Sequence, residues 1–273
     1  MCPNCRAFIT TSDRVCPYCD ISLEKRSTSS FNPAGALGGL IPHARFTTVV
    51  ILLINTGLFI AMYARDMRAS GTGALTDFSL RTLVDFGAKF GPFIRQGEWW
   101  RLLTAGFLHG GLLHFLMNSW VLFDLGTHTE ESYGTPRYLV FYVVSTITGF
   151  YASYWWSPGS VSIGSSAGIF GLIGAMIALG IGDRSMYGMA LRRMYTQWAV
   201  YGLLMGLLPF FATDNAAHVG GLIGGFAVAY LAGPQGRNGS VEMFWKWAGV
   251  AAVLVTLGAF ALMLRGLMAV ARF

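Results

Sequence analysis

The sequence predicts an all-α polytopic membrane protein with a small cysteine-rich segment at its N-terminus. Only 12% of its 273 residues are charged and 54% are hydrophobic, whereas an ordinary soluble domain has about 25% charged residues. The mean hydropathy of the chain is +0.53. Apolar stretches recur along it that reach or approach the length of about 20 residues that an α-helix needs to cross a bilayer. These observations exclude an ordinary soluble enzyme.

All cysteines of the chain lie near its N-terminus, in two C-x2-C pairs: Cys2, Cys5, Cys16 and Cys19. Thiolates at this spacing suit tetrahedral zinc and would close its coordination, so we expect a structural Zn²⁺ site rather than a catalytic one. Two disulfides are the alternative, but they would need an oxidising compartment. Zinc is favoured, and it places this terminus in a reducing cytosol. The polar start of the chain is not expected to be a signal peptide.

Composition divides the chain into four parts. Residues 1–22 form the zinc-ribbon-like segment with the four cysteines, which is too short for a core of its own and would fold on binding metal. Residues 23–45 are a linker rich in Ser, Gly and Pro. Residues 46–235 are the membrane core, and residues 236–273 hold a seventh transmembrane helix and the C-terminus. The predicted spans are, in order, 46–64, 103–125, 138–156, 166–182, 197–212, 216–233 and 244–270.

Basic residues predict the orientation of these spans. Lys and Arg precede span one and follow spans two, four and six, whereas the short loops 157–165 and 213–215 carry neither. The positive-inside rule therefore puts the N-terminus in the cytoplasm, in agreement with the zinc argument. This orientation puts the basic loop 65–102 outside, against the trend, but long loops contribute little to the positive-inside rule. We assign the net charge of +6 to membrane topology and expect no nucleic-acid partner.

Unusual polar residues open three of the spans that run inward from the outer side. They are His109, His114 and Asn118 in span two, Ser165 and Ser166 in span four, and Asp214, Asn215 and His218 in span six. Polar groups at membrane depth are costly and usually functional. Since three separate helices carry them at one depth, the sequence predicts a functional site near the outer face.

Helical spacing brings a serine and a histidine of this set together. His218, Gly221 and Gly225 share one face of span six, and glycines on a face let a second helix approach closely. Span four is also rich in glycine and is the natural partner. Its close approach would bring Ser166 toward His218, a nucleophile toward a base. Ser166 could instead act only as a helix N-cap.

A serine that attacks an amide needs a base and donors for the developing oxyanion. Neutral imidazole is the usual base at neutral pH. Asn118 and His114 share a helix face at i,i+4 and, with backbone N–H groups at the start of span four, could supply the donors. They could instead be polar packing groups between helices. His109 is expected to be structural, and Asp214 to cap span six.

Five motifs, in the same order along the chain, resemble those of the rhomboid family of intramembrane serine proteases. They are "EWWRLLTAGFLH", "HGGLLHFLMN", "LGTHTEESYGTPRYLVFY", "GSSAGIFGLIGA" and "DNAAHVGGLIGG". The resemblance runs from about residue 46 to residue 235 and leaves the cysteine segment outside. It implies a six-helix core to which the seventh helix is an addition.

The resemblance also implies site roles. Ser166 would be the nucleophile and His218 the general base of a Ser-His dyad that needs no aspartate and no cofactor. Asn118 and His114 would be oxyanion donors, and Phe170 stands where an aromatic ring packs on the catalytic histidine. The motif with Trp100 and Arg101 would belong to a loop in the outer leaflet. Independently of the resemblance, we expect Glu130 and Arg137 to form a structural polar network at the cytoplasmic face.

One position departs from the family pattern: Ala167 follows the nucleophile, where glycine is common. Ser165 is the alternative nucleophile, but the spacing to Phe170 and Gly174 favours Ser166.

The sequence therefore predicts an intramembrane serine endopeptidase that cleaves transmembrane protein substrates near the outer membrane face. We expect a multi-pass protein of the bacterial inner membrane, with a site open to the outer side. The zinc ribbon would stabilise the terminus or recruit a cytosolic protein partner. The alternative is a catalytically inactive rhomboid-like scaffold that binds transmembrane helices. A small-molecule transporter and a zinc-dependent enzyme are weaker, because neither an inverted repeat nor an H-E-x-x-H motif is present.

Overall fold

Long α-helices form most of the part of the chain that the structure describes. The computed structural model describes residues 15–19, 46–70, 75, 77–208, 213–234, 236 and 239–270. Its long helices are α1 (Phe46–Ser70), α5 (Leu112–Tyr133), α6 (Thr135–Trp156), α7 (Ser166–Gly182), α8 (Met186–Met205), α9 (Asn215–Ala232) and α10 (Gly239–Val270). The chain separates into two units, residues Met1–Leu40 and Ile41–Phe273, and all the long helices belong to the second. The predicted all-α class is confirmed.

Short elements fill the segment between α1 and α5. They are α2 (Leu80–Asp85), β1 (Lys89–Phe90), α3 (Gly91–Arg95), α4 (Arg101–Thr104) and a 3-10 turn at Ala105–Phe107. A further strand, β2 (Val161–Ser162), pairs antiparallel with β1 in the register Lys89↔Ser162 and Phe90↔Val161. The long loop before α5 is thereby joined to the loop that leads into α7.

Arg101 holds the loop before α5 together from inside. Its side chain is buried, its Nε donates to Glu98 Oε2 over 2.6 Å, and its Nη1 donates to the Val84 and Ala88 carbonyls at 2.6 and 3.2 Å. The guanidinium also lies over the Trp100 ring, 4.7 Å from the centroid. Arg101 thus joins its own turn to the stretch that contains Val84 and Ala88, which is a structural role.

Span two begins and ends later than the apolar pattern predicted. The prediction was 103–125, but α5 runs from Leu112 to Tyr133. The glycines of "HGG" interrupt the helical backbone, so His109 lies in the loop before α5 rather than on it. At the other end, Thr127 and Thr129 donate to carbonyls one turn back, so these polar residues continue the helix until Gly134, where φ is +78°.

Span five was also misplaced, because polar residues were taken for a loop. The prediction was 197–212, whereas α8 runs from Met186 to Met205, and residues 209–212 lie outside the described residues. Ser185 caps the helix by accepting from the Gly188 N–H over 3.2 Å. Arg192 and Arg193 therefore lie on the exposed face of a helix.

Glycine brings α7 and α9 into backbone contact. A methyl group added at Gly225 would overlap the Gly171 carbonyl oxygen, and one added at Gly221 would overlap the Ala167 carbonyl oxygen. The predicted close approach of spans four and six is present. The methyl group of Ala167, the departure from the family pattern, fits because Gly149 of α6 faces it without a side chain.

The polar network at Glu130 and Arg137 differs from the prediction. Glu130 receives the backbone N–H groups of Thr47 and Thr48 at the start of α1, each over 3.3 Å. Arg137 pairs with Glu242 of α10 through two bonds of 2.8 Å. The two charged side chains thus hold different helices, because the unpaired N–H groups at the start of a helix attract a carboxylate.

Three of the described helices are long and apolar enough to cross a membrane by composition. These spans are Phe46–Arg68, Asn215–Ala232 and Gly239–Ala269. Helix α7 is apolar but has 17 residues. Buried helices can be short and polar because neighbouring helices cover them. The apolar helices indicate an integral membrane protein.

Candidate active site

Ser166 is the first residue of α7, and the loop before it is fixed by its backbone. The N–H of Gly164 donates to the Ala105 carbonyl over 2.9 Å, and Gly164 has a φ of +125°, which side chains disfavour. A methyl group there would also lie 2.8 Å from His114 Nε2 and 3.5 Å from Ser166 Oγ. Glycine therefore lets the chain turn into α7 with space left beside the serine.

Ser166 and His218 are in hydrogen-bond contact. The Ser166 Oγ lies 2.9 Å from His218 Nε2, and His218 Nδ1 lies 3.3 Å from Asn215 Oδ1. An amide oxygen only accepts, so this geometry fits the tautomer in which Nδ1–H donates to Asn215 and Nε2 accepts from Ser166. His218 is 5% exposed, whereas Ser166 is partly exposed. The serine is thus the more accessible member of the pair.

An aromatic ring holds the third side of His218. The Phe170 ring stacks on the imidazole with 4.2 Å between centroids and an angle of 10° between planes. Phe170 lies one turn after Ser166 on α7, so both side chains face α9. Asn215, Phe170 and Ser166 together leave the imidazole little freedom to rotate.

His114 lies beside the serine, and Asn118 lies one turn further along α5. The position of His114 Nε2 near Gly164 places it on the same side as Ser166 Oγ. Asn118 is buried, and its Nδ2 donates to the His114 carbonyl over 2.9 Å. One amide hydrogen of Asn118 is therefore engaged with its own helix, and the other remains for a second acceptor.

A second serine and histidine lie directly behind the first pair. His109 Nε2 is 3.2 Å from Ser165 Oγ, and both residues are 0% exposed. The His109 ring meets the His114 ring edge to face, with 5.2 Å between centroids. Ser165 is therefore buried against His109, whereas the neighbouring Ser166 is partly exposed.

Lys89 fixes the loop that leads to Ser166, and sequence reasoning missed it. Its side chain is 0% exposed, and its Nζ donates to the Ser157 carbonyl, the Ser160 carbonyl and the Ser160 Oγ, each over 3.0 Å. Burial lowers the pKa of the Lys89 ammonium, and the charge of Asp214 partly opposes this. A lone lysine inside the apolar stretch "FGAKFGPF" was the available signal.

Asp214 caps the helix that carries His218, as predicted, and contacts two other elements. It accepts from the Ala217 N–H over 3.0 Å and from the Ser153 hydroxyl of α6. Burial alone would raise the pKa of its carboxyl, but hydrogen bonds from Ser153, Ser162 and Ala217 and the charge of Lys89 hold the pKa below its usual value. The carboxylate is thus engaged in structure rather than in a bond to His218.

Two of the four predicted zinc ligands lie outside the described residues. Cys2 and Cys5 are outside the described residues, while Cys16 is buried and Cys19 is partly buried. Within the ranges that the structure describes, no group of three or more His, Cys, Asp or Glu side chains is placed to hold a metal ion.

The site brings together the hydroxyl of Ser166, the acceptor nitrogen Nε2 of His218, and the donor groups of His114 and Asn118. Such an arrangement can activate the hydroxyl for attack on a carbonyl and stabilise the resulting oxyanion. It needs no bound metal to do so. The buried Lys89 and Asp214 lie outside this contact set and support the two loops that form it.

Comparison with known proteins gives one consistent family. A family model described as "Rhomboid domain" matches residues 96–235. The chain is 43% identical over 155 residues to "Rhomboid protease GluP" of Bacillus subtilis (strain 168), which covers 56% of this chain and 30% of that protein. It is 31% identical over 220 residues to "RHOMBOID-like protein 6, mitochondrial" of Arabidopsis thaliana, which covers 71% of each chain.

A further relative is "Rhomboid-like protease 3" of Toxoplasma gondii, which is 33% identical over 170 residues, or 61% of this chain and 62% of that protein. The matched region contains the site residues on α5, α7 and α9. The chain spans less than a third of the length of the Bacillus protein, so the similarity concerns the helical core.

Proposed function

This chain belongs to the rhomboid family of intramembrane proteases, and on that premise we propose that it is a serine endopeptidase with a Ser166-His218 dyad. The observation that carries the proposal is the 2.9 Å contact between Ser166 Oγ and His218 Nε2, with Phe170 stacked on the imidazole. The partial exposure of Ser166 supports access of a substrate carbonyl.

In the proposed reaction, Ser166 Oγ attacks the carbonyl carbon of the scissile peptide bond while its proton passes to His218 Nε2. The C–O bond forms and the carbonyl oxygen becomes an oxyanion. His218 then gives the proton to the amide nitrogen as the C–N bond breaks, which releases the amine product. A water molecule then gives a proton to His218 and attacks the acyl carbon. The ester bond to Ser166 Oγ breaks, His218 returns the proton to that oxygen, and the carboxylic acid product leaves.

We assign oxyanion stabilisation to His114, Asn118 and the first backbone N–H groups of α7. His114 Nε2 lies on the same side of Gly164 as the serine, and Asn118 has a free amide hydrogen. In other enzymes, removal of one such donor costs on the order of 3 kcal/mol of transition-state stabilisation. Asn215 would orient the imidazole of His218, which is the part that an aspartate takes in a catalytic triad.

The proposed substrates are transmembrane proteins cut near the outer end of a helix. A helical substrate hides its carbonyl groups in its own hydrogen bonds, so small or helix-breaking residues must let it extend first. The polar residues gather at the ends of α5, α7 and α9 that the positive-inside rule puts outside. We therefore place the N-terminus in the cytoplasm of a bacterium, the chain in its inner membrane, and the site toward the outer face.

The remaining parts of the chain would serve the core. Residues 46–235 would be catalytic, α10 within 236–273 would be a seventh transmembrane helix, and 23–45 would link the core to the cysteine-rich segment at 1–22. We propose that this segment binds structural Zn²⁺ through its four cysteines. Metal analysis of the purified protein should give about one zinc per chain, and Cys16→Ser with Cys19→Ser should abolish it; zinc that persists in this variant would contradict the assignment.

A fluorophosphonate probe tests the dyad without a known substrate. The purified protein in detergent should be labelled, Ser166→Ala and His218→Ala should not, and Ser165→Ala should still be labelled. Label retained in Ser166→Ala would refute the nucleophile. An unlabelled parent, beside a labelled active relative in the same detergent, would favour the inactive scaffold that binds transmembrane helices.

A further inference from the structure

The seventh long helix, α10, contacts the loop before α5, although the family resemblance implies that this helix is an addition to a six-helix core. The Phe260 ring of α10 meets the Phe107 ring edge to face, with 5.1 Å between the centroids and 67° between the planes. Phe107 is 2% exposed, so it lies inside the core rather than at the surface. The contact therefore joins α10 to the interior of the loop.

Two further side chains of α10 lie against the same loop. Met263 is 2% exposed, and a methyl group built at Gly87 would lie 3.4 Å from its Cγ. Leu267 packs on the buried cluster that contains Leu108. Because these two side chains follow Phe260 by one and two helical turns, all three belong to one face of the helix. One face of α10 thus lies along this loop.

The turn that Phe107 ends is bonded to the segment before the serine. The first residue of this turn, Ala105, accepts the Gly164 N–H over 2.9 Å, and Gly164 lies just before the two serines. On its other side, Phe107 contacts Tyr142 of α6, with 5.8 Å between the ring centroids. The turn is therefore held between α6 and α10, and one of its carbonyl groups holds the chain that leads to Ser166.

The opposite end of α10 is also fixed to the core. Glu242, near the start of α10, pairs with Arg137 of α6 through two bonds of 2.8 Å. Phe260 lies about 27 Å further along the helix at 1.5 Å per residue. Since α10 is attached at both ends, the Phe260 ring has a fixed place against the turn.

We propose that the Phe260 ring is a positioning group, which holds the turn Ala105–Phe107 from the α10 side and thereby fixes the chain that leads into α7. This inference rests on the proposed function of Ser166. It makes α10 part of the structure that supports the active site, beyond its place as a seventh span.

The rate of fluorophosphonate labelling at Ser166, measured across probe concentrations, tests this role. Phe260→Leu keeps an apolar side chain but loses the edge-to-face contact, so the maximal rate should fall about fivefold, the equivalent of about 1 kcal/mol. The probe concentration that gives half of the maximal rate should stay unchanged, because Phe260 contacts the turn rather than the probe. Phe260→Tyr keeps the ring and should label at the parent rate.

Phe244→Leu is the matched control on the same helix. Phe244 is 63% exposed and meets Trp245 edge to face with 5.3 Å between the centroids, so this change removes a similar ring contact. It does so about 24 Å along the helix from Phe260, and the labelling rate should stay at the parent value. Equal slowing in Phe244→Leu and Phe260→Leu, or a parent rate in Phe260→Leu, would overturn the proposal.

A double variant tests whether Phe260 acts through Phe107. Phe107→Leu removes the ring that Phe260 contacts and should slow labelling at least as much as Phe260→Leu does. The two changes together should label at the rate of Phe107→Leu alone, because the contact is already lost in that variant. A double variant slowed by the product of the two single effects would contradict the proposal.

Failure of the proposed function remains distinguishable from failure of this inference. If the parent does not label at Ser166, the dyad proposal falls, and amide hydrogen exchange decides the positioning role. The Gly164 N–H, which donates to the turn, should exchange faster in Phe260→Leu than in Phe244→Leu or in the parent. Equal exchange in all three proteins refutes the positioning role.

Discussion

The contact between α7 and α9 should be sensitive to a single methyl group at Gly221. Gly221 follows His218 by three residues on α9, and a Cβ built there would overlap the Ala167 carbonyl oxygen. The same Cβ would lie 3.0 Å from the Ala167 carbonyl carbon and 3.3 Å from its Cα. These are backbone atoms, so no side-chain rotation relieves the overlap.

Gly221→Ala must therefore move α9 away from α7 by roughly 1 Å, a displacement that typically costs about 100-fold in rate. His218 moves with its helix, so its 2.9 Å bond to Ser166 would pass beyond the hydrogen-bond range. Overpacking should also lower the free energy of unfolding by about 1–3 kcal/mol. The assay is the rate of fluorophosphonate labelling beside thermal unfolding in the same detergent.

Gly258→Ala on α10 is the matched control, because a Cβ there meets nothing within 4 Å. It should keep the parent labelling rate and should not lower the Tm, because alanine is the better helix former. Gly221→Ala that labels as fast as the parent would refute the reasoning that backbone contact sets the distance between Ser166 and His218. A lower Tm with an unchanged rate would refute it equally, since the helices would then separate without consequence for the pair.

Phe170→Leu removes the stacking of the Phe170 ring on His218, an interaction that contributes about 1 kcal/mol, so labelling should slow about fivefold. An unchanged labelling rate would contradict the orienting role of Phe170. Asp214→Asn keeps a cap but loses the charge, about 1 kcal/mol. Because the pKa of Asp214 is lowered in the folded state, its charge stabilises the fold fully above pH 3.8, and this stabilisation is lost as the pH falls below that value. The Tm difference between Asp214→Asn and the parent should therefore narrow in acid. A Tm difference that stays constant would contradict this. Glu242→Gln leaves the buried Arg137 guanidinium with a neutral partner and should lower the Tm; an unchanged Tm would show that this pair does not hold α10.

Sequence patterns predicted the long helices of the core because an apolar stretch is a property of local composition. The apolar stretch and the glycines at Gly221 and Gly225 indicated the close contact with α7 that the structure has. The predicted helix boundaries were wrong where local composition does not follow the helical structure. Arg192 and Arg193 indicated a loop, but an exposed helix face accepts charge, and the glycines after His109 ended a helix inside an apolar run.

The supporting residues were not predictable because each acts through a partner distant in the sequence. Lys89 contacts carbonyl groups about 70 residues later, and nothing near it in the sequence indicates that they are its acceptors. Arg137 pairs with Glu242, 105 positions away, although Glu130 lies closer in sequence and was the predicted partner. Such pairings depend on which helices become neighbours, and apolar periodicity does not specify that.

The contacts of Asp214 and Asn215 indicate how the proposed Ser166-His218 dyad would work without a catalytic carboxylate. Asp214 lies four residues before His218, but its oxygens receive Ser153 and the Ala217 N–H, so its charge stabilises the start of α9. Asn215 instead meets His218 Nδ1 with a neutral amide oxygen, and Phe170 fixes the plane of the ring. The His218 ring is thus oriented by the stacked Phe170 ring and the Asn215 amide. The charge of Asp214 lies at the N-terminus of α9, where the helix dipole favours it.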